Sequence, residues 1–191
     1  MRKVLSFITL FCVLFAQAHN IYTIYPVPQE QFEIEGKTSF SKHVNIVVEN
    51  NIDDITINRA KQVLTEAGLT PIVSQKIAKN QTNLLLGINN SNGIADKHIS
   101  ALKLNREVFT LNKYDRHILN LSADKKGIAQ VTIVGENSDA VFCALASMEQ
   151  IFDCGTTDLQ CVTIYDYADI KNRGIIEGYY GVPYTAEVTK D

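Results

Sequence analysis

Hydrophobic positions recur along this chain with two periods, and the switches between them mark the elements. Residues 21–28 (IYTIYPVP) are expected to be extended, because Pro26 and Pro28 push the residues before them toward β or polyproline geometry. Residues 31–40 alternate apolar and polar around Gly36 and read as a hairpin, and the β-branched run 44–49 (VNIVVE) reads as a strand. Asp53 or Asp54 then caps a helix with Ile57, Ala60, Val63, Leu64 and Ala67 at helical spacing, and Gly68 ends it. Residues 69–73 and 83–88 are two further strands, and 94–104 is a short helix or a loop. Residues 108–112 and 117–122 flank Lys113-Tyr114-Asp115-Arg116 as a second hairpin, and 130–134 is another strand. Ser138 and Asp139 open the clearest helix, whose apolar stripe is Val141, Ala144, Leu145, Met148, Ile151 and Phe152; a strand at 161–165 follows. These elements predict an α+β two-layer domain, an open mixed β-sheet with helices on one face, ending near residue 168.

The first eighteen residues stand outside this pattern. Arg2 and Lys3 precede an apolar run over 4–15, and Ala16-Gln17-Ala18 follows as an A-x-A site, the order of a secretory signal peptide. A run of that length is too short for a bilayer, which takes roughly 20 residues. The chain is therefore expected to be exported, to the periplasm or the extracellular space, with no membrane span after cleavage. Removing residues 1–18 takes away Arg2 and Lys3 and moves the net charge from −3 to −5.

That acidic balance argues against nucleic-acid binding, which rests on neutralising phosphates. Three cysteines remain after cleavage. Cys154 and Cys161 flank the turn at 155–158, so a disulfide between them is sterically possible in an oxidising compartment, whereas Cys143 lies in the helical stretch and packs as a small hydrophobe. Their spacing fits no metal site, and no cofactor is expected: the chain has neither a G-x-G-x-x-G nor a G-x-x-x-x-G-K-[ST] loop. No G-x-S-x-G elbow is present either. His19, His43, His98 and His117 are scattered, and the sequons at Asn80, Asn89 and Asn120 matter only in a eukaryotic secretory pathway. Asp53-Asp54 has the look of a paired acid and base, but carboxylates directly before a helix cap its free N–H groups and oppose its dipole, and capping is the expected role.

The segment 173–184, RGIIEGYYGVPY, is of another kind. Ile175 and Ile176 make a strand core, Gly178 and Gly181 bracket two tyrosines, and Pro183 stops the strand. With period 2, Gly178 and Tyr180 share one face while Glu177 and Tyr179 share the other. Glycine at a strand end permits close approach of a ligand, and tyrosine offers a stacking face with a hydroxyl handle. A buried strand followed by a Gly-Pro turn explains the same residues equally well.

This segment resembles the first barrel strand of glycoside hydrolase family 84, the β-N-acetylglucosaminidases, O-GlcNAc hydrolases and bacterial "hyaluronidases", whose pattern is R-G-[VI]-[VI]-E-G-F-Y-G-x-P-W. Tyr179 and Tyr184 replace the Phe and the Trp and keep an aromatic ring. Upstream, Ile164-Tyr165-Asp166-Tyr167 leading to Arg173-Gly174 is similar to the passage that joins the family's α+β domain, itself like the second domain of family 20 hexosaminidases, to its barrel.

Beyond the signal peptide at 1–18, the resemblance implies two parts: a non-catalytic accessory domain at 19–168 and, at 169–191, the start of a (β/α)₈ barrel. A full barrel takes roughly 250 residues and does not fit in what remains. It implies substrate-binding roles for Gly178, whose backbone faces the sugar, and for Tyr180 beside it. It also implies that the two catalytic aspartates lie beyond Asp191, where they would serve a substrate-assisted mechanism with the 2-acetamido oxygen as nucleophile. The expected partners are N-acetylglucosamine-containing glycans and the chain's own missing barrel, and the 191 residues alone are expected to be inactive. Two other readings stand beside it: an exported domain that binds glycans or a partner without catalysis, and a fragment of a family 20 hexosaminidase.

Overall fold

The computed structural model describes residues 21–174. Seven strands and three helices follow in the order β1 (Glu30–Thr38), β2 (His43–Val48), α1 (Asp54–Glu66), β3 (Thr70–Ser74), β4 (Thr82–Ile88), α2 (Ile94–Ala101), β5 (Tyr114–Ala123), β6 (Ala129–Gly135), α3 (Ser138–Phe152) and β7 (Leu159–Ala168), with a 3-10 turn at Glu107–Thr110. The strands form one mixed sheet in the order β1-β7-β5-β6-β4-β2-β3. β3, β2, β4 and β6 run parallel; β5 is antiparallel to β6 and β7, and β1 is antiparallel to β7. This is the α+β mixed sheet the sequence predicts.

Both long helices start on side-chain caps. Asp53 Oδ1 accepts from the Thr56 amide at 2.7 Å, and Asn137 Oδ1 accepts from the Ala140 amide at 2.9 Å. Asp53 is thus the cap, held below the usual carboxylate range chiefly by the Thr56 N–H, and Asp54 lies exposed in the first turn. The capping role expected of the pair falls to Asp53. Gly68, at φ +75°, turns the chain out of α1, a conformation that strains a residue with a Cβ.

Period-2 alternation sends Val44, Ile46, Leu84, Leu86, Leu119, Leu121, Val131, Ile133, Val162 and Ile164 to one face, where Ala60, Val63 and Leu64 of α1 and Val141, Ala144, Leu145, Met148 and Ile151 of α3 cover them. Burying one such Leu or Ile side chain contributes roughly 1.5–3 kcal/mol. The opposite face carries a smaller core: Val47, Leu85, Ile118 and Val134 pack under Ala95 and Ile99 of α2 and Val108 of the 3-10 turn. So the two long helices share one face as expected, and α2 adds a partial layer on the other.

Both predicted hairpins are replaced. Residues 31–38 belong to one edge strand, β1, because β7 is long enough to pair on both sides of Gly36: Glu33 opposes Val162 and Lys37 opposes Gln160, with a bulge between. Gln160 Nε2 satisfies the bulge by donating to the carbonyls of Ile34 (2.7 Å) and Gly36 (3.0 Å). Residues 108–112 are not a strand. The Arg116 guanidinium takes the Phe109 and Leu111 carbonyls at 2.7 and 2.5 Å, which removes them from any ladder. The true hairpin joins β5 to β6, where Asp124 Oδ1 accepts from the amides of Lys126 and Ile128.

Candidate functional site

Gly178 and Tyr180, the residues expected to face a sugar, lie outside the described residues, as does the 1–18 signal segment. What the structure does describe is the corner that leads to them, where β7 ends and residues 169–174 leave the sheet. Asp166 is fixed there by accepting from the amides of Tyr167 (2.9 Å) and Gln29 (3.2 Å), which ties the end of β7 to the start of β1. Arg173 donates to the Ile170 carbonyl at 2.9 Å and pairs with the carboxylate of Asp115. Asp115 has φ +53° and sits where the β5–β7 register shifts between Tyr114 and His117, so an irregularity in β5 aims its side chain at Arg173. Lys113 pairs with Asp169, and its ammonium stands 5.5 Å from the centroid of the Tyr167 ring.

His117 lies inside this corner, 2% exposed. Its Nδ1 is 2.8 Å from the Asp115 carbonyl, which can only accept, so Nδ1 carries the proton. Nε2 has no partner among the described residues. Burial holds the imidazole below its ordinary pKa, against the pull of the Asp115 carbonyl and of the Asp166 and Asp115 charges. Burial likewise pushes the Cys143 thiol up, which disfavours its thiolate. Cys154 is exposed, Cys161 is buried in β7, and both carry free thiols in this structure. Among the described residues no cluster of His, Cys, Asp and Glu could hold a metal ion, and no helix is long and apolar enough to cross a membrane. Of the three sequons, Asn120 is buried and Asn89 accepts from Arg106, while Asn80 is exposed.

Beside the corner, on the α2 face, lies a groove of about 530 Å³. Tyr165 and Tyr167 of β7 form its floor. Glu30 and Phe32 of β1 form one wall, and Asn105, Glu107, Val108 and Leu111 form the other. Phe32 meets Tyr165 edge to face at 5.8 Å and is 52% exposed. In the sequence, Tyr165 and Tyr167 stand out through the 164–174 passage and the other lining residues do not. No linear signal joins residues 30–32, 105–111 and 165–167, and the hairpin and strand expected of the first two put their side chains elsewhere.

The family model for glycosyl hydrolase family 20, domain 2 matches residues 21–167, which is most of the chain and includes every strand of the sheet except the final residue of β7. The chain belongs to that family. It is similar to the solved structure of CpGH84D, with 34% identity and a TM-score of 0.75 over 87% of this chain. The chain spans 27% of that protein's length. A β-N-acetylhexosaminidase from Bacteroides fragilis (13% identity, 75% of this chain and 24% of that one, TM-score 0.47) and a chitobiase from Flavobacterium johnsoniae (14%, 74% and 20%, TM-score 0.46) are more distant likenesses. The family match and the likeness to CpGH84D support an N-terminal domain of the family 20 and family 84 type, as the 164–184 resemblance implies.

Proposed function

We propose that this chain is the N-terminal part of an exported glycoside hydrolase that removes β-linked N-acetylglucosamine, from glycans of the hyaluronan or O-GlcNAc kind, by substrate-assisted hydrolysis with retention. The observation that carries this reading is the 34% identity to CpGH84D over 87% of this chain but only 27% of that one. The matched part is an accessory domain, and the chemistry belongs to a barrel that continues from Arg173-Gly174. In this reading residues 1–18 direct export, Gly178 and Tyr180 contribute to the sugar site, and the catalytic aspartates follow Asp191. In this reading the accessory domain's own task is mechanical, supported by the Arg173–Asp115 pair and the Asp166 bonds, which hold residues 166–173 just before the segment read as the barrel's start.

The test is to express the 191-residue chain beside the protein encoded by the continuing reading frame and to assay both on an aryl N-acetyl-β-glucosaminide. The longer protein is expected to turn over and to release the β-anomer first, while the 191-residue chain stays at background. A continuing frame without an Asp pair, or turnover by the 191-residue chain above that of its Gly178→Val variant, would overturn the proposal.

A further inference from the structure

We infer that the groove between β1, β7 and residues 105–111 is a saccharide-binding subsite of the accessory domain itself, and that it takes an uncharged acetamido-sugar unit. The acetamido preference rests on the proposed function; the saccharide site rests on the groove. Three properties of the groove point there. It is aromatic: Phe32 presents an exposed ring beside Tyr165, and Tyr167 extends the same floor two residues along the strand, about 7 Å away. Such rings offer flat apolar faces with polar edges, suited to the C–H faces of a pyranose. It holds acceptors: Glu30 has no hydrogen-bond or ion-pair partner among the described residues, and Glu107 spends one oxygen on Asn105 (3.0 Å) and keeps the other, so both carboxylates can receive sugar hydroxyls. It has an apolar corner, Val108 and Leu111, able to hold an acetamido methyl group.

The groove is also built rather than incidental. Its outer wall is held by Arg116, which grips the Phe109 and Leu111 carbonyls, and by Arg106, which is bonded to Asp96 and Ser100 of α2. Its volume of about 530 Å³ lies in the range of small-ligand sites. A cationic peptide is the other ligand that two carboxylates and aromatic rings would suit. It is disfavoured because the Tyr167 ring already has the Lys113 ammonium over it, so the cation–π position on that ring is occupied.

The chain has no tryptophan, so the fluorescence of the intact 191-residue chain comes from its eight tyrosines, of which Tyr165 and Tyr167 form the groove floor, and variants in the groove wall assign the signal to it. Titration with the β-1,4-linked trimer of N-acetylglucosamine is expected to give a saturable change with Kd near 1 mM, on the order of a typical weak sugar contact. Phe32→Ala and Glu30→Gln, both at the open edge, are each expected to raise that Kd about fivefold to tenfold while the thermal midpoint stays put. Absence of saturation with the trimer, or a response that both variants leave unchanged, overturns the subsite. A response to cellotriose alone overturns the acetamido preference, and a response to trilysine alone overturns the saccharide reading. The hydrolytic assay is separate: a longer protein that fails to turn over would sink the proposed function and leave a binding result at this groove standing.

Discussion

Asp96→Asn tests whether one ion pair holds the outer wall of the groove to the sheet. Asp96 stands in the first turn of α2 with its side chain 7% exposed, and Arg106, which begins the 3-10 turn, is 26% exposed. Asp96 Oδ1 accepts from Arg106 Nη1 at 2.7 Å and from the Asn90 amide at 3.1 Å, and Oδ2 accepts from the Asn92 amide at 3.0 Å. Asparagine keeps one acceptor and turns an N–H₂ group toward donors, so in either orientation at least one backbone amide loses its acceptor, and the guanidinium loses the charge it was paired with. Breaking a buried pair costs about 3–5 kcal/mol. Arg106 is partly solvated and keeps Asn89 Oδ1 (2.6 Å), the Asp96 carbonyl and Ser100 Oγ (both 2.8 Å), which lowers the expected cost to about 2–3 kcal/mol. For a domain of this size that is a fall in Tm of about 4–12 °C.

Urea unfolding of the parent, Asp96→Asn, Arg106→Met and the double variant measures it, with a coupling of about 1–3 kcal/mol expected between the two sites. The pH dependence adds a second reading. Burial works to raise the Asp96 pKa, but the bonds from Arg106, Asn92 and Asn90 outweigh it, and the net shift is downward. A carboxyl with a depressed folded pKa stabilises fully above its unfolded pKa, about 4, and that stability is lost as the pH falls through the folded value. The gap between parent and Asp96→Asn should therefore be flat from pH 7 to about 4 and close only below that. A gap under about 0.5 kcal/mol at pH 7, or one that stays constant to pH 3, would refute this role for the Asp96 carboxylate.

Two further outcomes follow from the same geometry. A Cβ added at Gly93 would stand 2.0 Å from Glu49 Cδ, and Glu49 is not free to swing away, since it accepts from Ser91 Oγ at 2.6 Å and from the Ala95 amide at 3.0 Å. Gly93→Ala is expected to cost about 1–3 kcal/mol in urea unfolding, and Glu49→Ala placed beside it should recover part of that; a double variant whose losses simply add would count against the clash. His98 and His117 are both held below the ordinary histidine pKa by burial. Their contribution to stability is complete above about pH 6.5 and drains as the pH falls toward their folded pKa values, with a slope of up to about 1.4 kcal/mol per pH unit for each. His117→Asn, whose Nδ2 replaces Nδ1 as donor to the Asp115 carbonyl, should remove one such slope between pH 6.5 and 5; an unchanged slope would mean that His117 is charged in the folded state.

The helices and central strands were legible because each carries redundant signals. α1 has a capping carboxylate, an apolar stripe and a terminal glycine that agree; β4 is a continuous apolar run (NLLLGI) that suits a strand buried on both faces. The edges were not legible. β1 is mostly exposed along its length and bulged at Gly36, so its alternation marks a turn as readily as a strand. Residues 107–110 look β-branched and aromatic, yet an arginine six residues further on decides their shape. Arg173 and Asp166 were legible only through resemblance, since nothing local in a sequence announces a partner at Asp115 or Gln29.

The same long separations explain why the corner and the groove form together. β7 is inserted between β1 and β5, so the last strand of the domain pairs with the first across more than a hundred residues, as Glu30 opposite Tyr165 illustrates. Neither the groove floor nor the Asp166 bonds exist until β7 is in place, and closing so long a loop delays β7 relative to the local βαβ units. Once inserted, β7 carries the chain within six residues to Arg173 and its pair with Asp115. Closure of the sheet and the fixing of residues 169–174 at its corner are therefore one event, because the same strand makes both.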